Sequence, residues 1–334
     1  MVQFLTKTLM WTGPGVLLCA GLWFGLVQAE PGRDLVGLNR VLPTRCNSMI
    51  FGSSRSGQGV NPSVLEKALP ASGKWQNFSF NLSVSPWNDA YVDAIEKKLE
   101  CSLETGPPHH FLVFVDPWML DGLTGEGKQT WLNADWADVC NMNTIRFAWH
   151  KTNPLDIIGY GSGMDLFGVI ATVPGQLMQL ISGTESISRK GLMTNGWLPN
   201  PKKKSPREIA KAIDEKVDVY RNGKTTGEIW PGPENIAALN RCIQILKTGA
   251  SQSKIYLVRP PTSVKMRALE DEWFPDTNRK LRRISKQHAI AFLDTHHDWS
   301  ERDMRHFNDG HHLNMEGANA FSQYLAQAIE SQAN

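Results

Sequence analysis

A serine hydroxyl becomes a useful nucleophile only when an imidazole takes its proton. That imidazole must itself be held in one tautomer, commonly by a carboxylate. The chain offers such a set at its two ends. Near the front, Met49-Ile50-Phe51 runs into Gly52-Ser53-Ser54-Arg55-Ser56. Near the far end, Asp309-Gly310-His311-His312-Leu313-Asn314 places a carboxylate three residues before an imidazole. On a loop, that spacing lets Asp309 reach one ring nitrogen of His312 while the other faces a serine. The chemistry this implies is acyl transfer through a covalent acyl-serine. Each part has a plainer explanation: Gly-Ser-Ser is common in loops, Asp309 suits a turn before a helix, and His312 could be a packing or surface histidine. It is their combination that points to a site.

The elements that must position these residues follow from periodicity. Met49-Ile50-Phe51 reads as a short buried strand, and Gly52 lets the chain turn sharply after it. Asn61-Pro62-Ser63 starts a helix with Val64, Leu65 and Leu69 on one face. Trp75 to Ser85 contains an alternating segment, expected as a second strand. Asp89 to Leu99 is expected as a helix with Ala90, Val92, Ile95 and Leu99 in one buried stripe. The run His110 to Asp116 has the continuous apolar character of a central parallel strand. From about Gly122 to Val217 the pattern loosens. This stretch is rich in tryptophan and glycine, with an apolar patch from Leu166 to Leu180 and a basic run, Lys202-Lys203-Lys204, read as a solvated loop. It is expected to be a partly helical insertion over the sheet edge. Regularity returns with a helix over Glu234–Thr248 closed by Gly249 as C-cap. A strand over Ile255–Val258, a charged helix over Thr277–Gln287, a strand over Ala289–Asp294 and a last helix over Met315–Ile329 follow. That last helix turns Ala318, Phe321, Leu325 and Ile329 inward. Strands alternating with helices imply an α/β fold, a three-layer sandwich around a central parallel sheet.

Taken together, these residues resemble the SGNH (GDSL-like) hydrolase superfamily. Its members carry a Gly-Asp-Ser block after the first strand and an Asp-x-x-His block before the last helix. Gly52-Ser53-Ser54 stands for the first, with Ser53 in place of Asp. Asp309-x-x-His312 matches the second, followed by Leu313-Asn314 and Gly317-Ala318. The resemblance spans about Ser48 to Ile329, with the insertion apart, and implies an SGNH/flavodoxin-like sheet. It makes Ser54 the nucleophile rather than Ser53 or Ser56, His312 the base ahead of His311, and Asp309 its orienter. The motif order and the hydrophobic leader also resemble exported, membrane-anchored members such as the D-alanine transfer protein of lipoteichoic acid synthesis. The oxyanion elements depart from the family pattern. The Ser54 backbone N–H supplies one donor. The second block, Asn81-Leu82-Ser83-Val84-Ser85-Pro86, ends in a proline with no N–H where the family has glycine. The third, Gly-x-Asn-Asp, is replaced by Asp116-Pro117-Trp118, leaving Asn88 or the Trp118 indole N–H as substitutes.

Composition bounds the rest. The chain has 334 residues, 41% of them hydrophobic, which is ample for a sizeable core. A net charge of +2 argues against a nucleic-acid partner. An apolar stretch from Leu9 to Val27, closed by Val27-Gln28-Ala29-Glu30, reads as a signal peptide or an uncleaved membrane anchor over residues 1–30. Residues 31–334 are then one exported domain, periplasmic or extracellular. Of the five cysteines, Cys19 lies in the leader. Cys46, Cys101, Cys140 and Cys242 remain open between disulfides and buried thiols. No Cys/His spacing suits structural zinc. The C-terminal histidines, His296, His297, His306, His311 and His312, are more simply loop residues than ligands, so no metal and no cofactor is expected. The function expected is an exported serine esterase or O-acyltransferase acting on an acyl ester of a cell-envelope or extracellular saccharide. The alternative is a catalytically weak SGNH-like protein that binds polysaccharide or takes part in envelope assembly.

Overall fold

A computed structural model describes residues 45–80, 87–104, 109–123, 195–200, 204–223, 229–250, 252–299 and 304–332. The leader, the Asn81–Pro86 block, Leu166–Leu180, Lys202 and Lys203 therefore lie outside the described residues. So does most of the expected insertion.

Five strands build one parallel sheet: β1 (Ser48–Gly52), β2 (Trp75–Ser79), β3 (His110–Phe114), β6 (Lys254–Val258) and β7 (Ala291–Leu293). Their order is β2-β1-β3-β6-β7. Numbered within this sheet alone, that is 2-1-3-4-5, the flavodoxin-like doubly wound order. Two short strands outside it, β4 (Asp121–Leu123) and β5 (Ile229–Pro231), pair antiparallel as a ribbon that periodicity did not reveal. The fold is α/β with a central parallel sheet, as the alternation of patterns implied.

Side chains on a strand alternate between faces, and the core divides accordingly. Met49, Phe51, Phe111, Val113, Ile255 and Leu257 face one way, into a cluster shared with α3 (Asp89–Ser102), α6 (Pro233–Gly249) and α8 (Thr277–His288). Ile50, Leu112, Phe114, Tyr256 and Val258 face the other way, towards α2 (Pro62–Ala68) and α10 (Met315–Ser331). Burial on both faces explains why these strands read as unbroken apolar runs. Val92, Ile95 and Leu99 of α3, and Ala318, Phe321, Leu325 and Ile329 of α10, are buried as their spacing required. A third, smaller cluster joins Ile209, Ile213, Val217 and Tyr220 of α5 (Pro206–Gly223) to Met266 and Leu269 of α7 (Val264–Trp273).

Several boundaries differ from expectation. Gly249 stays within α6, and extended Ala250 follows it, so there is no left-handed glycine cap there. The left-handed cap occurs instead at Ala289 after α8, with φ 47°, which shortens the expected strand to Ala291–Leu293. Helix α7 was not anticipated. Cys46 and Cys242 are buried free thiols rather than disulfide partners. Burial pushes the Cys46 thiol up to about 12, against a lesser opposing pull from Lys98.

All five strands run in one direction, so their C-terminal ends share one edge of the sheet. Ser53, Asp116, Arg259 and Asp294 lie just past those ends. In open α/β sheets that edge is where ligands bind.

Candidate active site

Gly52 ends β1 with φ 147°, a conformation that disfavours a side chain. A Cβ there would also lie 2.7 Å from Phe114 Cβ and 2.5 Å from Ser56 Oγ. The sharp turn at Gly52 leads straight into α1 (Ser54–Gly59), with Ser53 as N-cap. Three serines in four residues thereby receive three different environments. Ser53 Oγ donates to Asp116 Oδ2 at 2.7 Å. Ser56 Oγ donates to the Ser53 carbonyl at 2.9 Å and meets Ser79 Oγ at 2.9 Å. Ser54 Oγ lies 2.9 Å from His312 Nε2.

The histidine arrives on a tight loop. Phe307 and Leu313 pair as an isolated antiparallel bridge and both sink into the core. The Asn308 N–H donates to the His312 carbonyl at 2.8 Å, and the Gly310 carbonyl accepts from the Ser263 N–H at 2.9 Å. Asn314 then caps α10 by accepting from the Gly317 N–H at 2.9 Å. Gly317 is needed for close approach: a Cβ would fall 2.2 Å from the His306 carbonyl oxygen. Thus two anchored ends hold His312 in place.

Asp309 Oδ2 lies 2.9 Å from His312 Nδ1. Its other oxygen accepts the backbone N–H groups of His311 at 3.0 Å and His312 at 2.8 Å. Burial alone would raise this carboxyl. The His312 hydrogen bond, the nearby imidazoles and the backbone donors outweigh burial and hold it well below the usual carboxylate range. An ionised Asp309 selects the His312 tautomer with its proton on Nδ1, which leaves Nε2 as an acceptor for Ser54. His311 is differently placed. It is buried, packs edge-on against Tyr220 at 5.5 Å, and burial holds it well below its ordinary value. So of the two adjacent histidines, His312 is the one that meets a serine.

Arg55, Asp116 and Glu270 were missed by sequence reasoning. Arg55 follows Ser54 and turns inward, with its Nη2 2.6 Å from Glu270 Oε1 and its Nε 3.9 Å from Asp116 Oδ2. Glu270, fully buried on α7, also approaches Arg259 at 3.9 Å. These charges compensate one another away from water, the only condition under which such burial is tolerable. The available signals were Asp116 and Arg259, each a charge directly after an apolar strand. Nothing marked Glu270, because its partners are remote in sequence.

The oxyanion substitutes fare unequally. The Trp118 indole N–H donates to Glu270 Oε1 at 3.0 Å and is thus engaged elsewhere. Asn88 is the N-cap of α3, its amide oxygen accepting from the Tyr91 N–H at 2.9 Å. That bond leaves the Asn88 amide donors uncommitted to the cap. The Ser54 N–H is at the first position of α1, where no intrahelical acceptor exists. The block ending in Pro86 falls outside the described residues.

Among the described residues, two trios place potential metal-ligand atoms within 4.8 Å of one another: Asp271, His296 and His297, and Asp309, His311 and His312. In the second, both Asp309 oxygens already accept hydrogen bonds.

No protein-family model matches the chain, and no curated protein does. Among solved structures, it is similar to a crystal structure from Parabacteroides merdae ATCC 43184, provisionally assigned as a GDSL-like lipase. The identity is 14%, over 86% of this chain and 98% of that one, with a TM-score of 0.36. A likeness at that level carries no argument about activity; the fold rests on the strand order described above.

Proposed function

We propose that the protein is a serine esterase or O-acyltransferase. Ser54 Oγ attacks the ester carbonyl carbon while His312 Nε2 takes the hydroxyl proton. The tetrahedral intermediate collapses, the alcohol leaves with that proton, and acyl-Ser54 remains. Water or a sugar hydroxyl then attacks the acyl carbon, with His312 again accepting the proton and returning it to Ser54. Asp309 stays ionised throughout, holding the ring and stabilising the imidazolium. The Ser54 N–H, assisted by Asn88, donates to the developing oxyanion. The observation that carries this reading is the pair of 2.9 Å contacts joining Ser54, His312 and Asp309.

The finer reading is an acyl ester on a cell-envelope or extracellular saccharide, met by an exported protein held at a membrane through residues 1–30. What supports it is the Leu9–Val27 leader and the resemblance to membrane-anchored acyl-transfer proteins. Covalent labelling with a fluorophosphonate tests the chemistry. The wild-type protein is expected to take up one label, Ser54→Ala none, and Ser56→Ala the full amount. A wild-type protein that stays unlabelled overturns the reading in favour of a polysaccharide-binding or envelope-assembly protein.

A further inference from the structure

One helix carries a charge pattern that neither the fold nor the acyl-transfer site explains. Helix α8 holds five cations, Arg279, Lys280, Arg282, Arg283 and Lys286, and no acidic residue, in a chain whose net charge is only +2. Arg279, Arg282, Arg283 and Lys286 are all exposed. Their spacing of i, i+3, i+4, i+7 sets them in one stripe, about 10 Å long at 1.5 Å per residue. Their side chains border a shallow, open depression of about 500 Å³ on the surface of that one helix. Leu281, Ile284, Ser285 and His288 form the opposite, buried face.

The stripe is only partly neutralised. Arg279 pairs with Asp276 at 2.7 Å. Arg282 pairs with Asp294 at 3.2 Å and lies over the Phe292 ring. Arg283 and Lys286 form no ion pair among the described residues. Like charges at i,i+4 destabilise a helix, and the pairs Arg279/Arg283 and Arg282/Lys286 both do so. A helix serving only to cover the sheet does not call for four exposed cations in one stripe.

Its position relates the stripe to Ser54. Asn278 accepts from Arg259 Nη1 at 2.7 Å and donates to Asp294 Oδ2 at 2.8 Å, which ties the start of α8 to the C-terminal ends of β6 and β7. That is the sheet edge on which Ser54 lies. β1 and β7 are three strand spacings apart, roughly 14 Å.

We infer that the exposed stripe of α8 binds a carboxylate-bearing linear polysaccharide, and that this polymer is the acceptor or acyl donor presented to Ser54. Guanidinium forks recognise carboxylates bidentately. A lipid surface fits less well, since membrane-binding helices set large apolar residues beside their cations. The exposed large hydrophobics among the described residues are Val219, Val264, Met304 and Met315, none of them on α8. Single-stranded nucleic acid would call for exposed aromatic stacking platforms, which α8 lacks, and a duplex for a strongly basic domain, which a net charge of +2 does not make. The polymer's role as substrate rests on the acyl-transfer reading; its binding does not.

The test uses full-length protein carrying Ser54→Ala, so that bound polymer is not altered. The probes are polygalacturonate, dextran of equal length, and phosphatidylglycerol vesicles. Binding to polygalacturonate that weakens with salt, with none to dextran, is expected. Reversing Arg283 and Lys286 to Glu is expected to weaken that binding roughly ten-fold, since two attractive charges become repulsive. On the Ser54 background the same reversal should leave fluorophosphonate labelling intact. Tm is expected to change little, because the i,i+4 repulsions become attractions while a carboxylate in the last turn opposes the helix dipole. The neutral pair Arg283→Gln and Lys286→Gln serves as a milder variant, expected to weaken binding less. Equal binding by the reversed variant, equal binding to dextran, or binding to vesicles alone overturns the inference. Loss of Ser54 labelling with polymer binding intact would instead remove the acyl-transfer reading and leave this surface standing.

Discussion

Asp309 shows how a small set of hydrogen bonds decides a protonation state. Its folded-state value is depressed, so it favours the folded protein at any pH above the unfolded carboxyl value of roughly 3.9, and that contribution fades as pH falls below it. At neutral pH it is an ionised acceptor that fixes His312. Asp309→Asn keeps the size and one acceptor but removes the charge and allows the wrong tautomer. The expected result is a loss of about 10³–10⁴-fold in kcat, by analogy with the same change in serine proteases, with a lower Tm at neutral pH because the carboxylate's stabilising effect goes with its charge. Steady-state esterase kinetics beside a thermal melt would check it. A kcat within ten-fold of wild type would deny Asp309 that role.

Between elements, the buried charges around Arg55 are the costly feature. Glu270 on α7 is the shared partner of Arg55 on α1 and Arg259 after β6. Burial pushes its carboxyl up, but Arg55, His296 and Arg259 prevail and hold it below its ordinary value. Glu270→Ala would take from buried Arg55 its closest carboxylate, leaving Asp116 at 3.9 Å, and is expected to destabilise the protein by about 3 kcal/mol. Urea unfolding measures this directly. Glu270→Gln, which keeps one acceptor, should cost less. Gly52→Ala is expected to be similarly severe, because a positive φ and contact with Phe114 both oppose a Cβ. If Gly52→Ala unfolds at the wild-type urea midpoint, the β1–α1 turn is not constrained as described.

Across the whole molecule, buried histidines set the response to acid. Burial, the leading cause in each case, lowers His110, His288, His296 and His311. His110 is brought down to about 4, on β3 between the rings of Trp75 and Tyr256. An unfolded histidine titrates near 6.5. Between roughly pH 6.5 and about 4 the unfolded chain therefore binds more protons than the folded one, and stability rises with pH. The stabilising effect is complete above the unfolded value and is lost on acidification towards the folded one. Tm is expected to fall between pH 7 and pH 5, and His110→Phe to flatten part of that fall. A wild-type Tm equal at both values would count against it.

What the sequence determined by itself was local and periodic. Unbroken apolar runs meant strands covered on both faces, and helical stripes fixed which sides of α3 and α10 turn inward. The alternation of the two implied a parallel sheet, because parallel neighbours need a crossover between them. Gly52 and the Asp309–His312 spacing marked the two turns that carry the candidate site. Helix α7 carries little periodic signal because Met266 and Leu269 pack against α5 rather than the sheet, and its charged remainder resembles a surface segment. Motif alignment pointed to Ser54, but only tertiary structure shows what lies opposite each of Ser53, Ser54 and Ser56. Ser54 and His312 are 258 residues apart, and Arg55 and Glu270 are 215 apart. No periodicity encodes such pairs: they follow from the strand order that brings β1, β3 and β6 side by side and gathers their ends on one edge.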